Sequence, residues 1–463
     1  MQGNIKMMTE NDGISELKIA VINVKNSKKN VAMNKDLNGG FGTADTYSGT
    51  FFGKIIANIK NKYIKLPIVS LAFLMGIFKQ KNICAKYFEG SLPVKDDNFD
   101  VIVIYGSIVD IKNENDVAKK LKKENQDAKI GFIGPFPSTV PSKFDSADFV
   151  IKGSFEKFFM NDFKNKSQLT GIIDVKEKVD LDSLPHPELE GFPISEYGYY
   201  PAIKAKPFFA LQASLGCPYS CSYYCVYGKF QGPIIIMRSP KKVVEDIIYL
   251  KNKYGINGIQ FRDPTFGLKK GYIEEFCNEL GKSNVKIEWG IETRIDLLDK
   301  SKLKMMFKAG LRNLNIGIET VDPEIAKKNK RLLININHQE ELVNYCKKIG
   351  IKISAFYIFG YENDTEKTMQ ITLDYAKKLN TFLARFSVCT PYPGTDFYAA
   401  LEKENRISDY DFEKYTQFNP LIKHKMLSHQ KIKQMLSKAY KEYYFRPRYL
   451  LMVLSWKIRE FWL

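Results

Sequence analysis

Two rhythms of apolar and polar residues alternate along the chain. Leu17–Val24, Ile83–Phe88, Asp100-Val-Ile-Val-Ile-Tyr-Gly106 and Lys129-Ile-Gly-Phe-Ile-Gly134 are short apolar runs, the pattern of strands buried on both faces of a parallel sheet. Leu66–Lys79 and the Lys-rich Asn113–Asn125 read instead as helices. A Gly-rich stretch, Gly39-Gly-Phe-Gly42, follows the first run. Strands separated by helices build right-handed βαβ units. Residues 1–155 are therefore expected to form a doubly wound, Rossmann-like α/β domain, whose ligands bind beyond the carboxyl ends of its strands.

The rhythm breaks over residues 156–206. Prolines flank His186 in Asp182-Ser-Leu-Pro-His-Pro187 and argue against regular structure, so this segment reads as a connector. A second series starts at Phe208. Its strands are expected at Phe208–Ser214, Gly258–Arg262, Lys286–Ile291, Asn313–Ile318, Lys352–Ile358 and Ala384–Cys389. Helices fall between them at Pro240–Lys253, Gly271–Lys282, Lys300–Ala309 and Gln339–Ile349. Six βα repeats are too few for a closed eight-stranded barrel. They suit a partial, TIM-like (βα)6 barrel over 207–410, functional at the carboxyl ends of its strands. Residues 411–463 read as a C-terminal helical extension.

Composition adds bounds. With 463 residues, 44% hydrophobic and 26% charged, the chain has room for two or three globular domains. The formal charge of +18 favours anionic partners in general. Its lysines, however, cluster at Lys119–Lys123, Lys241–Lys253 and Lys327–Lys330, which read as solvated helix faces. No Arg-rich run or RNA-binding signature makes a case for nucleic acid. The apolar run Leu66–Phe78 is shorter than the ~20 residues a bilayer span needs. Arg446–Leu463 mixes tryptophan, basic and apolar residues, and suits a membrane interface or docking on the barrel or a partner equally. The first residues are polar through Glu16, without a secretory signal, and the cysteine count of seven is odd. A reducing cytoplasm is expected, and the membrane reading of the tail would make it a peripheral contact to the inner face of the membrane.

The strongest chemical signal is Leu215-Gly-Cys-Pro-Tyr-Ser-Cys-Ser-Tyr-Tyr-Cys-Val-Tyr-Gly228. Cys217, Cys221 and Cys225 can hold three corners of an iron–sulfur cube and leave the fourth iron open. A structural zinc would want a fourth ligand, and His186 is distant in sequence. Three packed core thiols suit so polar a loop poorly. The loop directly follows the first strand of the second series, which places it at the functional mouth.

These cysteines stand at the head of an ordered set of strand-end motifs. Gln260-Phe-Arg-Asp-Pro-Thr-Phe266, Glu292-Thr-Arg294, Gly317-Ile-Glu-Thr320, Tyr357-Ile-Phe-Gly-Tyr-Glu362 with Asp364-Thr-Glu366, and Thr390-Pro-Tyr-Pro-Gly-Thr395 follow in order. Over roughly residues 205–410 this set resembles the radical S-adenosylmethionine (SAM) superfamily. The resemblance implies a [4Fe–4S] cluster on Cys217, Cys221 and Cys225, with SAM bound at the open iron. Reductive cleavage of SAM would give methionine and a 5′-deoxyadenosyl radical, with an electron donor such as flavodoxin or ferredoxin. It also implies that Tyr224 packs near the adenine and that Glu319 accepts hydrogen bonds from the SAM ribose or amino group. Arg294 would pair with the SAM carboxylate, or else with Glu292 at the rim; Asp263 would cap a loop or face substrate. The family's usual spacing is CxxxCxxC, whereas this chain has CxxxCxxxC, with Tyr223-Tyr224 in place of one aromatic.

The first domain, its Leu66-Pro-Ile-Val-Ser-Leu-Ala-Phe-Leu74 helix and the Leu181–Pro187 segment resemble the cobalamin-binding module fused to many radical SAM enzymes. Arg446-Pro-Arg-Tyr449 echoes the C-terminal end of that subgroup. The D-x-H-x-x-G ligand motif is absent and no histidine precedes His186. Cobalamin would bind without a protein imidazole, or the sheet would serve the substrate alone. The implied chemistry is methyl transfer, cyclisation or oxidative rearrangement of a small or lipid-like metabolite. Two other readings stay open. One is tRNA modification, motivated by the charge, although only Cys84 occurs where such enzymes carry a second cysteine triad. The other is a non-catalytic cluster- or corrinoid-binding protein, motivated by the altered spacing.

Overall fold

A computed structural model describes residues 15–27, 33–44, 49 and 63–462. The chain divides into two units. One comprises Met1–Lys29, Lys35–Gly42 and Ile68–Ile194, the other Asn30–Asn34, Thr43–Pro67 and Ser195–Leu463.

In the first unit the apolar runs become β1 (Lys18–Asn23), β2 (Cys84–Glu89), β3 (Val101–Tyr105), β4 (Lys129–Ile133), β5 (Phe149–Gly153) and β6 (Gly171–Val175). All are parallel, in the order β2-β1-β3-β4-β5-β6. Chain order reverses between β1 and β3, the switch point at which doubly wound sheets bind ligands. Ile19–Ile22 and Val101–Ile104 are fully buried, as strands covered on both faces must be. Helix α1 (Val69–Gln80) begins three residues later than the sequence pattern suggested, beyond Pro67. Helix α2 (Ile111–Glu124) turns its lysines outward but buries Glu114.

The sequence pattern found four of these six strands. The segment read as a connector belongs to the first unit as far as Ile194, and it contributes β6. His186 has a packing role here: its carbonyl would lie 2.3 Å from a Cβ at Gly76, so α1 passes hard against it.

The second unit carries β7 (Phe208–Leu211), β8 (Gly258–Phe261), β9 (Glu288–Thr293), β10 (Leu311–Glu319), β11 (Lys352–Phe359) and β12 (Leu383–Val388). They are parallel and neighbour one another in strict sequence order, the partial barrel that the six repeats implied. Helices α3 (Pro240–Tyr254), α4 (Tyr272–Lys282), α5 (Lys300–Lys308), α6 (Ile336–Ile349) and α7 (Glu366–Leu379) connect them. Their limits follow local chemistry. The Ser239 hydroxyl accepts from the Lys242 amide ahead of Pro240, and α3 stops at Gly255 with φ 68°.

The open edge of this sheet is covered by α8 (His429–Tyr444). Tyr440 Oη donates to the Phe386 carbonyl at 2.9 Å and Tyr444 Oη to that of Ala384 at 2.7 Å, while the Ala384 amide donates back to Tyr444 Oη at 3.0 Å. Tyrosine hydroxyls thus stand in for the neighbouring strand that β12 lacks. Helix α9 (Pro447–Trp462) follows. Among the described residues no helix is long and apolar enough to cross a membrane.

Candidate functional site

The cysteine loop leaves β7 and is clamped at its neck. Ser214–Leu215 pairs antiparallel with Ile236–Met237, and the Cys217 amide donates to the Gly232 carbonyl at 2.9 Å. Gly216 makes the closure possible. Its φ is 90°, and a Cβ there would lie 2.2 Å from the Ile234 carbonyl oxygen.

Fully buried Asp263, just past β8, fixes the start of the loop. It accepts from the Ala213 amide at 3.1 Å and from Ser214 Oγ at 2.5 Å. Asp263 therefore caps the loop, one of the two roles open to it from sequence. Burial pushes its carboxyl up to about 7, against these hydrogen bonds. At the far side, Ser220 Oγ donates to the Lys330 carbonyl at 2.8 Å.

The extra residue is absorbed in a tight turn, Ser220–Tyr223, from which the Tyr224 and Cys225 amides both donate to the Cys221 carbonyl. Tyr223 points at Phe397, ring centroids 5.6 Å apart, beneath the Lys330 ammonium. Tyr224 is buried and lies edge-on to Tyr361, whose hydroxyl is 3.2 Å from its own. The inserted aromatic is thus turned to one side, and the residue before Cys225 keeps an inward position.

All three thiols are free. Burial pushes each upward, most of all Cys225, and each is further opposed by its fellow thiols or relieved by nearby guanidinium charge. The Tyr219 amide and Thr265 hydroxyl favour a Cys217 thiolate, and the Tyr227 amide a Cys225 thiolate. Three desolvated thiols with amide donors beside them suit an electropositive guest. Among the described residues no three such side chains converge as ligands of a single ion. A cube gives each thiolate its own iron, so its ligands need not converge.

The remaining predicted residues end up at the same end of the barrel. Glu319 sits at a register shift closing β10, in the left-handed region at φ 67°. Its partner is Arg331, 3.8 Å away, which also donates to the Gly317 carbonyl at 2.5 Å. Burial raises the Glu319 carboxyl, and Arg331 holds it back. Arg331 was hidden behind the Lys327–Lys330 run, and its electrostatic neighbours include Cys221 and Tyr224. Arg294 does not pair with Glu292. It grips Asp296 through Nε and Nη2 at 3.0 and 2.7 Å and stacks 4.3 Å from the Tyr219 ring of the loop. Glu292 pairs with Arg262 instead. Inside the barrel, Asn313 bonds Gln260 and Asn315, and Asn315 bonds Tyr199 Oη. Asn313 and Asn315 alternate along β10 and line one face with polar groups, a period-two signal readable in the sequence.

A sequence profile described as the radical SAM superfamily matches residues 211–376, from the end of β7 into α7. Residues 211–376 carry a radical SAM domain. Its family cofactors are a [4Fe–4S] cluster and SAM, and the three thiols fit the cluster. An uncharacterized methyltransferase of Pyrococcus horikoshii is 27% identical over 354 residues, 72% of this chain and 76% of that protein. An anaerobic magnesium-protoporphyrin IX monomethyl ester cyclase of Rubrivivax gelatinosus is 32% identical over 262 residues, 55% of this chain but 45% of the cyclase. Among solved structures, the radical SAM methyltransferase TsrM of Kitasatospora setae aligns with a TM-score of 0.62 at 14% identity, covering 84% of this chain and 76% of that one. The cobalamin-dependent radical SAM enzyme OxsB aligns at 0.57 and 15% identity, covering 92% and 62%. These structural likenesses speak to the fold alone, and they cover most of the chain.

Proposed function

We propose that this protein is a cobalamin-type radical SAM enzyme that methylates or cyclises a small or lipid-like metabolite. The observation that carries the reading is the clamped loop at the carboxyl end of β7. It holds three free, desolvated thiols beside Glu319, Arg331 and Arg294. When bound, the cluster supplies the electron that cleaves SAM reductively.

The chain's own residues do the rest. Cys217, Cys221 and Cys225 hold the iron, and Gly216 and Asp263 hold the loop. Tyr224, Tyr361 and Phe397 form an apolar wall that keeps water from the thiols. Glu319 offers an acceptor oxygen for a ribose or ammonium group, and the Arg331 charge favours its carboxylate form against the effect of burial. Arg294, anchored by Asp296, presents its guanidinium face to the loop and favours a carboxylate near Cys217.

The first unit supplies the corrinoid module. At its switch point the chain's own Lys35 donates to the Val24 carbonyl at 2.9 Å and pairs with buried Glu114 at 2.8 Å. No histidine precedes His186, so this unit fits a corrinoid held without a protein imidazole from that stretch. Named relatives include methyltransferases of bacteriochlorophyllide and a hopanoid C-3 methylase, which favours small or lipid-like substrates over tRNA. An acidic electron donor of the flavodoxin or ferredoxin kind suits the net charge of +18. The C-terminal tail would serve as a peripheral membrane contact.

The test is anaerobic reconstitution with iron, sulfide and hydroxocobalamin, followed by a visible spectrum and assay of SAM cleavage under reductant. Cluster and corrinoid bands with 5′-deoxyadenosine or S-adenosylhomocysteine formation are expected. Protein that binds no iron and leaves SAM intact overturns the reading.

A further inference from the structure

Helix α9 is apolar on two opposite faces, and only one of them is used. Tyr449, Met452 and Trp456 turn toward the barrel. Tyr449 Oη donates to the Phe382 carbonyl at 3.0 Å, Asn380 Nδ2 reaches Met452 Sδ at 3.5 Å, and the Trp456 ring lies 5.5 Å from that of Phe382. These contacts fix the rotation of the helix about its axis. The opposite face then carries Leu450, Leu451, Leu454 and Ile458, which are 51–65% exposed.

At 3.6 residues per turn these four side chains occupy an arc of about 100°. Lys457 borders that arc on one side and Arg448 on the other, both exposed. Just before the helix, Phe445 is also 55% exposed. Further cations stand behind it. Lys347 is lowered to about 8 by burial and by Arg448 and Arg446, so positive charge accumulates there.

An apolar arc with cations on both borders is the pattern of a helix lying in a membrane interface, leucines in the acyl boundary and basic groups among headgroup phosphates. A second copy of the chain would bring the same cations against themselves. We infer that α9 docks this protein on an anionic lipid surface through Leu450, Leu451, Leu454 and Ile458, with Arg448 and Lys457 on the headgroups. The inference deepens the peripheral contact within the proposed function, yet it stands on α9 alone and needs neither cluster nor SAM.

The test is flotation of the full-length protein with phosphatidylcholine vesicles and with equal mixtures of phosphatidylcholine and phosphatidylglycerol. Binding to the anionic vesicles, weakened by salt, is expected. Leu451→Ser combined with Leu454→Ser should cut partitioning by more than tenfold, because both side chains would otherwise leave water. Lys457→Glu should cut it by about fivefold or more, while leaving phosphatidylcholine binding unchanged. Every substituted side chain is exposed, and an unchanged far-ultraviolet circular dichroism spectrum confirms the fold. No flotation with anionic vesicles, or flotation untouched by the leucine changes, overturns the inference. So does a concentration-dependent dimer abolished by the leucine changes without vesicle binding. Reconstituted protein that fails to cleave SAM but still floats would sink the proposed function and leave this docking surface standing.

Discussion

Replacing Arg331 by Met tests whether the pair it forms with Glu319 holds the β10 end in place. At 3.8 Å and an effective dielectric of about 20, the attraction forgone is about 4 kcal/mol. Removing one partner of a buried pair costs about 3–5 kcal/mol because the other charge is left desolvated. The two figures agree, so Arg331→Met should destabilise the second unit by about 4 kcal/mol at neutral pH. All three tryptophans, Trp289, Trp456 and Trp462, fall in that unit, so indole fluorescence follows its unfolding. With a urea slope of ~3 kcal/mol per M, the midpoint should fall by about 1 M.

The loss has a pH signature. Glu319 is already raised by burial, and without Arg331 it rises further. A carboxyl with a raised folded pKa binds an extra proton in the native state, so stability falls as pH climbs from the unfolded value toward the folded one. The variant should therefore regain stability as the solution is acidified toward the ordinary glutamate range. Glu319→Gln added to Arg331→Met should restore most of the loss, since no charge then remains buried. A midpoint within about 0.2 M of the parent, or a double variant no better than the single one, would refute the reasoning.

Three further outcomes are expected. Asp263 titrates near 7 in the fold against an ordinary 3.8, so it should cost up to about 1.4 kcal/mol per pH unit as pH rises through that window. Asp263→Asn should flatten that slope in urea titrations at several pH values, while losing about 1–3 kcal/mol at low pH through the amide facing the Ala213 N–H. Gly216→Ala should lose about 2 kcal/mol or more by thermal unfolding, and it should fail to take up iron in colorimetric assay, because its Cβ would strike the Ile234 carbonyl. Cys225→Ala should abolish the cluster absorption band after reconstitution. Tyr223→Ala should retain it, because that ring packs toward Phe397 and Lys330; equal loss in both would show that the inserted tyrosine takes part in cluster binding.

The sheet of the barrel and the position of the cysteine loop were legible because each rests on local information. Apolar runs mark strands, and Ser239-Pro240 and Gly255 mark helix ends. The edge strand β6 was not legible. Only one face of it is even partly covered, so Gly171-Ile-Ile-Asp-Val175 lacks a buried strand's solid apolar signature. Nor was Arg331, which is joined to Glu319 by the way the chain folds back after β10. In one dimension it is simply the last member of a basic run. Glu292 and Arg294 illustrate the same limit. Two residues apart at a strand end, they invite pairing on paper, yet the distant Arg262 claims Glu292, and Arg294 turns to Asp296 on its other side.

The division of the chain carries a consequence for its synthesis. Ile64–Lys65 pairs as a strand with Gly198–Tyr199, made more than a hundred residues later. Lys35–Gly42, made earlier still, belongs to the first unit, while the segments on both sides of it belong to the second. On the ribosome the first unit can gather its sheet once Val175 has appeared, but Ile64–Lys65 must wait for its partner. A chain ending at Ile194 would leave that short strand without its partner permanently. The two units are therefore not separable by a single break, and dissecting them calls for coexpressed halves rather than a truncation.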